Sequence, residues 1–551
     1  MTIKMSKIKR IDDKNEYLFN LGKEKEEVFL YIVQAKRESF LNVIKTYKKL
    51  TETYKGLKVD IIFIPCVTYE IVQYLNDNSL EYYFTIHNLR IDLFPIDNDL
   101  LSLENEDSFK EIYIDKNYSS LLELANGFSK LESLFGKVKY KYIKGNNAKI
   151  FDDFLAKKEK ENNVNTTEEV LGMIVFDRSI DFLTLFTSNY TYEGLIDDFF
   201  NIKFGKIRIK DSMVREKSSK DKLSKDDDKT VTFGLTTDMN KFYCKLRCMH
   251  YIDVNKYIIK TKEYYKQYAE EDKMKMGKNY SVDNLLDFKD KMTYFINEVK
   301  APLFSNSNII YHIIKQVSND DYIKYLKNEQ ALLTGNSYIN IKTYYEDKMA
   351  EKSDLNKILK LMIIQSLTQG GIREYNKLKR EILNLYGYHK IFLFRNLEKI
   401  GLLKDKTKDN YYSYICEKLQ LLNLDFNLEQ IFDCSYVMSG YCPLTLRLIE
   451  NSMNAKWNKI NDILKKIPGE LMYPENEDII INPPKEVHTI FLVFVGGITY
   501  TEIEGIRYLN RKFKEIYDKN KDKKPSRIQL IIVTTAIMNS NKILEKFEKT
   551  V

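Results

Sequence analysis

Short runs of branched and aromatic residues alternate along this chain with longer stretches of helical period. Val28–Val33 and Val59–Ile64 are apolar and of strand length, and residues 38–55 between them carry a Lys and Leu spacing of helical character. A third run, Leu89–Ile96, completes a strand–helix–strand rhythm and predicts an open α/β sheet in a first domain. A helical connection over residues 118–160 leads to a further strand, Leu171–Phe176. Near the end, Thr489–Val495 runs into Gly496-Gly497, a helix opens at Thr501-Glu502, and a last strand follows at Ile528–Val533. The simplest topology gives these late strands to the sheet begun by Leu171–Phe176, so one α/β domain is expected from two separated segments.

The region between them is helical. Ser281 is placed to cap a helix on which Leu285, Phe288, Met292, Phe295 and Val299 recur at steps of three and four. Ile309, Ile310, Ile313, Ile314 and Val317 form a second stripe, and the breakers in Ala301–Asn308 predict that the two fold into a hairpin. Such stripes face either the protein's own core or a partner helix, and the period is the same in both cases.

Composition narrows the classes. Of 551 residues, 44% are hydrophobic and 30% charged, which is the balance of a globular protein too long for one core. The Lys- and Asp-rich stretch over 210–230 is the exception and reads as a disordered loop. The 87 basic and 79 acidic residues leave a net charge of +8 without a basic arm, so nucleic acid is not implied. Six scattered cysteines fit a reducing compartment, and no apolar run approaches the ~20 residues of a membrane span. A cytoplasmic location follows as the expectation.

Candidate chemistry is thin. No phosphate-cradling G-x-x-x-x-G-K-[ST] loop or G-x-S-x-G elbow occurs, and Gly496-Gly497 lacks the G-x-G-x-x-G spacing of a dinucleotide site, so a tight turn is the better reading. Cys244, Cys248 and His250 have no fourth ligand near them, and the two cysteines read as one helix face. The five histidines stand far apart. No catalytic residue, metal or cofactor is assigned, and the chain is expected not to be an enzyme. The most informative stretch is Met173–Asp181, where a strand runs straight into Asp177, Arg178 and Asp181, followed by Tyr192-Glu193-Gly194-Leu195-Ile196-Asp197. With no nucleophile beside them, these charges are expected to tie a turn to the domain beneath through charge-assisted hydrogen bonds.

Met173–Asp181 with Leu195–Asp197, Phe491–Leu509 and the Leu246–His250 helix together resemble the Sec-1/Munc-18-like (SM) family, which chaperones SNARE-mediated membrane fusion. Pro95–Glu104, Lys379–Tyr388, Asn396–Leu403 and Ser435–Leu444 are similar to its branch of vacuolar protein-sorting subunits. The resemblance implies an arch of three domains: two open parallel-sheet α/β domains, the second discontinuous, and a mainly helical third. Boundaries are expected at 1–115, at 116–245 with 485–551, and at 246–484, the last divided into 246–375 and an outer part, 376–484. It implies that Val282–Gly335 is similar to the hairpin on which family members hold SNARE helices, with Phe288, Met292, Phe295, Ile309 and Ile313 lying on or supporting that platform. It also implies docking of a companion subunit, vacuolar protein sorting-associated protein 16, through Lys404, Tyr412 and Ile415. The chain would then template SNARE assembly for vesicle docking and fusion inside a HOPS/CORVET-type tethering complex, held peripherally at late endosomal, lysosomal or vacuole-like membranes. The alternatives are a scaffold subunit of that complex without SNARE binding and a nucleotide- or sugar-binding α/β enzyme, whose loop signature is absent. Two departures stand out: Leu185 and Thr293 occupy positions where proline is usual. The opening strand and helix of the first domain are expected to be missing or replaced.

Overall fold

The computed structural model describes residues 29–35, 37–53, 59–162, 169–214, 230–237, 239–275, 289, 291, 293–335, 340–407, 410–423, 431, 433–454, 456–474, 487–519 and 527–548. The chain divides into two compact units, Met1–Asp92 and Leu93–Val551.

In the first unit three parallel strands stand in the order Phe29–Gln34, Val59–Ile64, Phe84–Asn88. Val59, Ile61 and Phe63 are fully buried while Asp60, Ile62 and Ile64 are half-buried, the period-two signature of a strand with one packed face. Phe40, Val43, Ile44 and Tyr47 of the Arg37–Thr53 helix close that face. The third strand is thus Phe84–Asn88 and not the expected Leu89–Ile96. The later part of that run, Phe94–Asp97, pairs antiparallel with Leu100–Ser102 as the edge of the other sheet, a position that tolerates the missing N–H of Pro95. Residues from Leu93 therefore go with the second unit, where Phe109 and Ile112 are core, although a boundary near residue 115 was expected.

The second unit holds a seven-stranded sheet ordered Leu471–Met472, Lys137–Lys144, Glu169–Asp177, Val487–Val495, Arg527–Thr534, Leu100–Ser102, Phe94–Asp97. All neighbours are parallel except the two outermost strands. Glu169–Asp177 pairs directly with Val487–Val495, with Val175 opposite Val493, so the expected union of two distant segments is present. Ile490–Val495 are all buried, as a strand covered on both faces requires. The helical connection expected over 118–160 is interrupted by the strand Lys137–Lys144, between helices Ser119–Phe135 and Asn146–Asn162. Its lysines disguise it. Lys141 pairs with Asp152 (3.2 Å) and Glu159 (3.0 Å), while the buried Lys144 ammonium donates to the carbonyls of Ile467 (2.9 Å) and Gly469 (2.7 Å). Residues 215–229 of the Lys/Asp-rich stretch lie outside the described residues. Its ends are not loop: Lys206–Lys210 pairs antiparallel with Thr230–Gly234, and Asp211–Val214 is a short helix.

The strand end at Asp177 is where this unit is tied together. Asp177 accepts the Tyr113 hydroxyl and the backbone N–H groups of Asn147 (2.8 Å) and Ser179 (2.9 Å). Arg178 donates to both oxygens of Glu502 (2.8 and 2.6 Å) and lies 3.5 Å from Asp181. Burial works against the guanidinium charge, but Glu502 and Asp181 more than offset it and raise the pKa. Glu502 is also the third residue of its helix. It accepts the N–H and hydroxyl of Thr499 (both 3.0 Å) while the Thr499 hydroxyl accepts its N–H (3.2 Å), a reciprocal cap. The helical segment joins through the Thr445 hydroxyl on Glu502 (2.6 Å) and the Leu444 N–H on Asp181 (3.0 Å). Gly496 and Gly497 have φ of +88° and +103°, and a Cβ there would lie 2.7 Å from the Tyr113 ring and 2.4 Å from Met538. Only glycine fits that turn. A second clamp uses the following motif: Glu193 pairs with Arg507 (2.6 Å), which also holds Asp99 (3.0 Å), and Asp197 accepts from Asn539 (2.7 Å) beside Lys542 (3.3 Å). Inside the fold Arg178 thus faces Glu502 and Asp181, and Arg507 faces Glu193 and Asp99.

Removing one member of the buried pair, by Arg178→Met or Glu502→Gln, is expected to cost about 3–5 kcal/mol in denaturant titrations. The Arg178→Met/Glu502→Gln double variant should lose less than the sum, and strict additivity would show that the two groups do not act as a pair. A pH dependence follows from Glu329, which accepts the N–H (2.9 Å) and hydroxyl (2.8 Å) of Ser188 and whose carboxyl burial lifts to about 7. The folded chain therefore keeps a proton that the unfolded chain releases near pH ~4.3, so this stabilisation is complete below that value and fades as pH rises through 7. Unfolding free energy measured from pH 5 to 8 should contain a fall on the order of 3 kcal/mol that Glu329→Gln flattens. An unchanged slope in that variant would assign the fall elsewhere.

Candidate functional site

The helical region is built around a pair of helices, Tyr251–Lys275 and Lys300–Val317, the second entered through a wide turn at Phe295–Val299. The Tyr265 ring stacks on Phe295 with centroids 4.1 Å apart and joins the two. The break expected over Ala301–Asn308 does not occur. Ser305, Asn306 and Ser307 each turn their side chain back onto the carbonyl four residues earlier, at 3.0, 2.7 and 2.6 Å, so residues that favour turns stay helical. Pro302 falls in the first turn after the wide one, where a missing N–H and a bulky ring are tolerated. Phe295–Val299 and Ile309–Val317 therefore lie on one continuous stretch, which pairs with Tyr251–Lys275.

The expected platform residues separate into groups. Ser281, Leu285, Phe288 and Met292 lie outside the described residues. Phe295 is half-buried beneath Tyr265. Ile309 and Ile313 are fully buried with Ile310 and Val317, and the Tyr192 hydroxyl donates to the Asn306 side-chain oxygen beside them at 3.0 Å. Ile309 and Ile313 thus hold the helix from beneath and offer no surface to a partner. Tyr264, Tyr294, Ile296 and Tyr311 are exposed on these helices, with Tyr264 and Tyr294 close to the Tyr265 ring. The stripe could not disclose them, because a core-facing period selects the buried positions; their signal was apolar residues standing off the stripe.

At the other expected contact, Lys404 is exposed and its carbonyl accepts the Ile372 N–H at 3.0 Å. Tyr412 is half-buried with its hydroxyl on the Leu333 carbonyl (2.9 Å), and Ile415, on the same Tyr412–Leu419 helix, packs on the core. Only Lys404 of the three turns its side chain fully to solvent. Cys244 and Cys248 do not share a helix face, since the helix Lys241–Leu246 stops before Cys248, which is buried. Leu246–His250, expected as a helix, is instead the end of this helix and the turn that leads to Tyr251–Lys275. Burial pushes the Cys248 thiol up and holds His250 down to about 4. Among the described residues no group of three or more His, Cys, Asp or Glu is placed to hold a metal, and no helix is long and apolar enough to cross a membrane.

Known proteins share both the sequence and the fold. A vacuolar protein sorting-associated protein 33A from Rattus norvegicus is 28% identical, covering 90% of this chain and 83% of its own length. A vacuolar protein-sorting-associated protein 33 homolog from Arabidopsis thaliana is 26% identical, covering 94% of this chain and 86% of its own. The structure of the SM protein Vps45 in complex with the Qa SNARE Tlg2 superposes with a TM-score of 0.59 at 14% identity, over 96% of this chain and 88% of that one. The family model described as the Sec1 family matches residues 1–546, nearly the whole length, and the chain belongs to the Sec1 family.

Proposed function

We propose that this chain is a non-enzymatic chaperone that binds SNARE helices and templates their assembly for vesicle docking and fusion at late endosomal, lysosomal or vacuole-like membranes. The observation that carries this reading is the outward side of the helical pair, where Tyr264, Tyr294 and Ile296 surround the stacked Tyr265–Phe295 rings while the buried isoleucines fix the helix from below. An amphipathic SNARE motif presents apolar side chains at i, i+3, i+4 and i+7, and an exposed aromatic ridge on a supported helix is the complementary partner. The work required is positional. Two chains held in register on one surface do not meet the entropy loss of mutual alignment a second time, so no bond need be made or broken. Membership in the Sec1 family, the vacuolar sorting relatives and the Vps45–Tlg2 likeness support the same reading.

The finer placement, also proposed, is as a subunit of a HOPS/CORVET-type tethering complex, docked through the outer helical part to a companion resembling vacuolar protein sorting-associated protein 16. This would bring the chain to the cytoplasmic side of its membrane. Lys404 is the exposed member of that candidate contact, while Tyr412 and Ile415 shape the surface beneath it.

Pull-down of purified SNARE motifs should fall about tenfold or more for Tyr264→Asp/Ile296→Asp, because desolvated aromatic and apolar anchors carry most of such an interface. Both substitutions are at exposed positions, so an unchanged melting midpoint is expected alongside. Undiminished capture by the folded variant would reject the ridge. Capture of no SNARE motif by the parent chain, with a companion subunit still retained, would leave a scaffold without SNARE binding. Lys404→Glu should weaken co-purification of the companion subunit and leave SNARE capture intact; retention at the parental level would remove Lys404 from the contact.

A further inference from the structure

Apart from the helical pair, one corner of the outer helical part turns large apolar side chains to solvent. Helices Tyr375–Tyr386 and Ile391–Lys399 meet there through Gly387, φ +102°, and a tight turn at Tyr388–Lys390. Leu385, Tyr388, Ile391 and Phe392 are 39, 68, 44 and 47% exposed, four within eight residues. The opposite sides of the same helices are fully used: Ile382, Leu383, Leu393, Phe394 and Leu397 are buried. Glu398 clamps the two helices by accepting from the Tyr375 hydroxyl (2.6 Å) and the Lys379 ammonium (2.5 Å). The corner is thus held from within, and its outward apolar atoms have no part in holding it.

The surrounding charge selects the occupant. Behind the corner, Lys377 and Arg380 on the first helix and Arg395 on the second are exposed, the Lys399 ammonium donates to the Ile114 carbonyl (2.6 Å), and Glu381 and Asp354, the latter beside Tyr386, are acids near them. His389 is exposed at the corner itself, Lys390 pairs with Glu548, and the more distant Glu374 pairs with Lys342. A partner helix lying in a groove needs apolar anchors repeated along one face. Here they stop at the corner, and the faces leading away from it are polar and cationic. An apolar tip within a cationic collar matches the boundary of an anionic bilayer, where short apolar and aromatic groups enter the headgroup layer and Lys and Arg meet lipid charge.

We propose that the Leu385–Phe392 corner inserts shallowly into an anionic membrane surface and gives the chain a lipid contact of its own, separate from any supplied by protein partners.

The test is flotation of the purified full chain with phosphatidylcholine vesicles, with and without phosphatidylserine. Tyr388→Trp serves as a reporter, since Trp457 is fully buried and blind to the bilayer. Binding confined to the anionic vesicles is expected, with quenching of the reporter by brominated lipid. Ile391→Ser/Phe392→Ser should weaken it about tenfold, by loss of buried apolar area. Arg380→Gln/Arg395→Gln should weaken it about 25-fold, at roughly fivefold per basic side chain, and raised salt should act in the same direction. All four positions are exposed, so each variant should melt with the parent. Equal binding to neutral vesicles, an unquenched reporter, no vesicle binding, or indifference to both double variants would overturn the proposal. So would capture of a protein helix through these residues without any vesicle binding.

Discussion

The buried ion pair between Arg178 and Glu502 is the constraint on which the second unit depends. It lies where three parts of the chain meet: the end of the Glu169–Asp177 strand, the capped start of the Tyr500–Lys519 helix, and the Leu444–Thr445 entry to a helix of the helical region. Two charges taken out of water are held together best when further hydrogen bonds support their attraction. Here Glu502 takes three from Thr499 and Thr445, while the Arg178 guanidinium, whose Nε and Nη2 make no hydrogen bond, relies on Glu502 and on Asp181 at 3.5 Å. The arrangement sets registry between segments more than three hundred residues apart, which apolar packing alone specifies poorly because it lacks direction.

In the helical pair Ile309, Ile310, Ile313 and Val317 drive one helix face into the core, while Tyr294, Ile296 and Tyr311 of the same continuous stretch are exposed. The proposed platform must be rigid to lower the entropy of what it aligns, and rigidity comes from the buried face rather than from the exposed residues. The same division recurs at the Leu385–Phe392 corner, where buried leucines and the Glu398 clamp support an apolar tip. In both places the exposed apolar side chains are not those that hold the helix against the core.

Much of the architecture was legible in the residues. Strands near 28–33, 59–64, 171–176, 489–495 and 528–533 lie where apolar runs of strand length place them, and in the second unit parallel strands covered on both faces must be apolar throughout. The discontinuous central sheet was legible for that reason, and the turn at Gly496-Gly497 because glycine alone takes a positive φ without strain. Lys137–Lys144 was hidden because its lysines find carboxylates and carbonyls only once the neighbouring helix and the Ile467–Gly469 turn are in place. Phe84–Asn88 was hidden because a strand with one exposed face carries few apolar residues.

What the sequence determined by itself was therefore the alternation of strands and helices, the charged strand end, and the family likeness carried by blocks in constant order. Only the tertiary structure decided which face of each helix is spent inward, that Ser305, Asn306 and Ser307 continue a helix rather than break it, and that the exposed apolar groups are Tyr264, Tyr294 and Ile296 instead of Ile309 and Ile313. The physical reason is that periodicity records how a helix meets apolar surroundings of any origin. Which surroundings those are depends on long-range packing, and local spacing does not contain it.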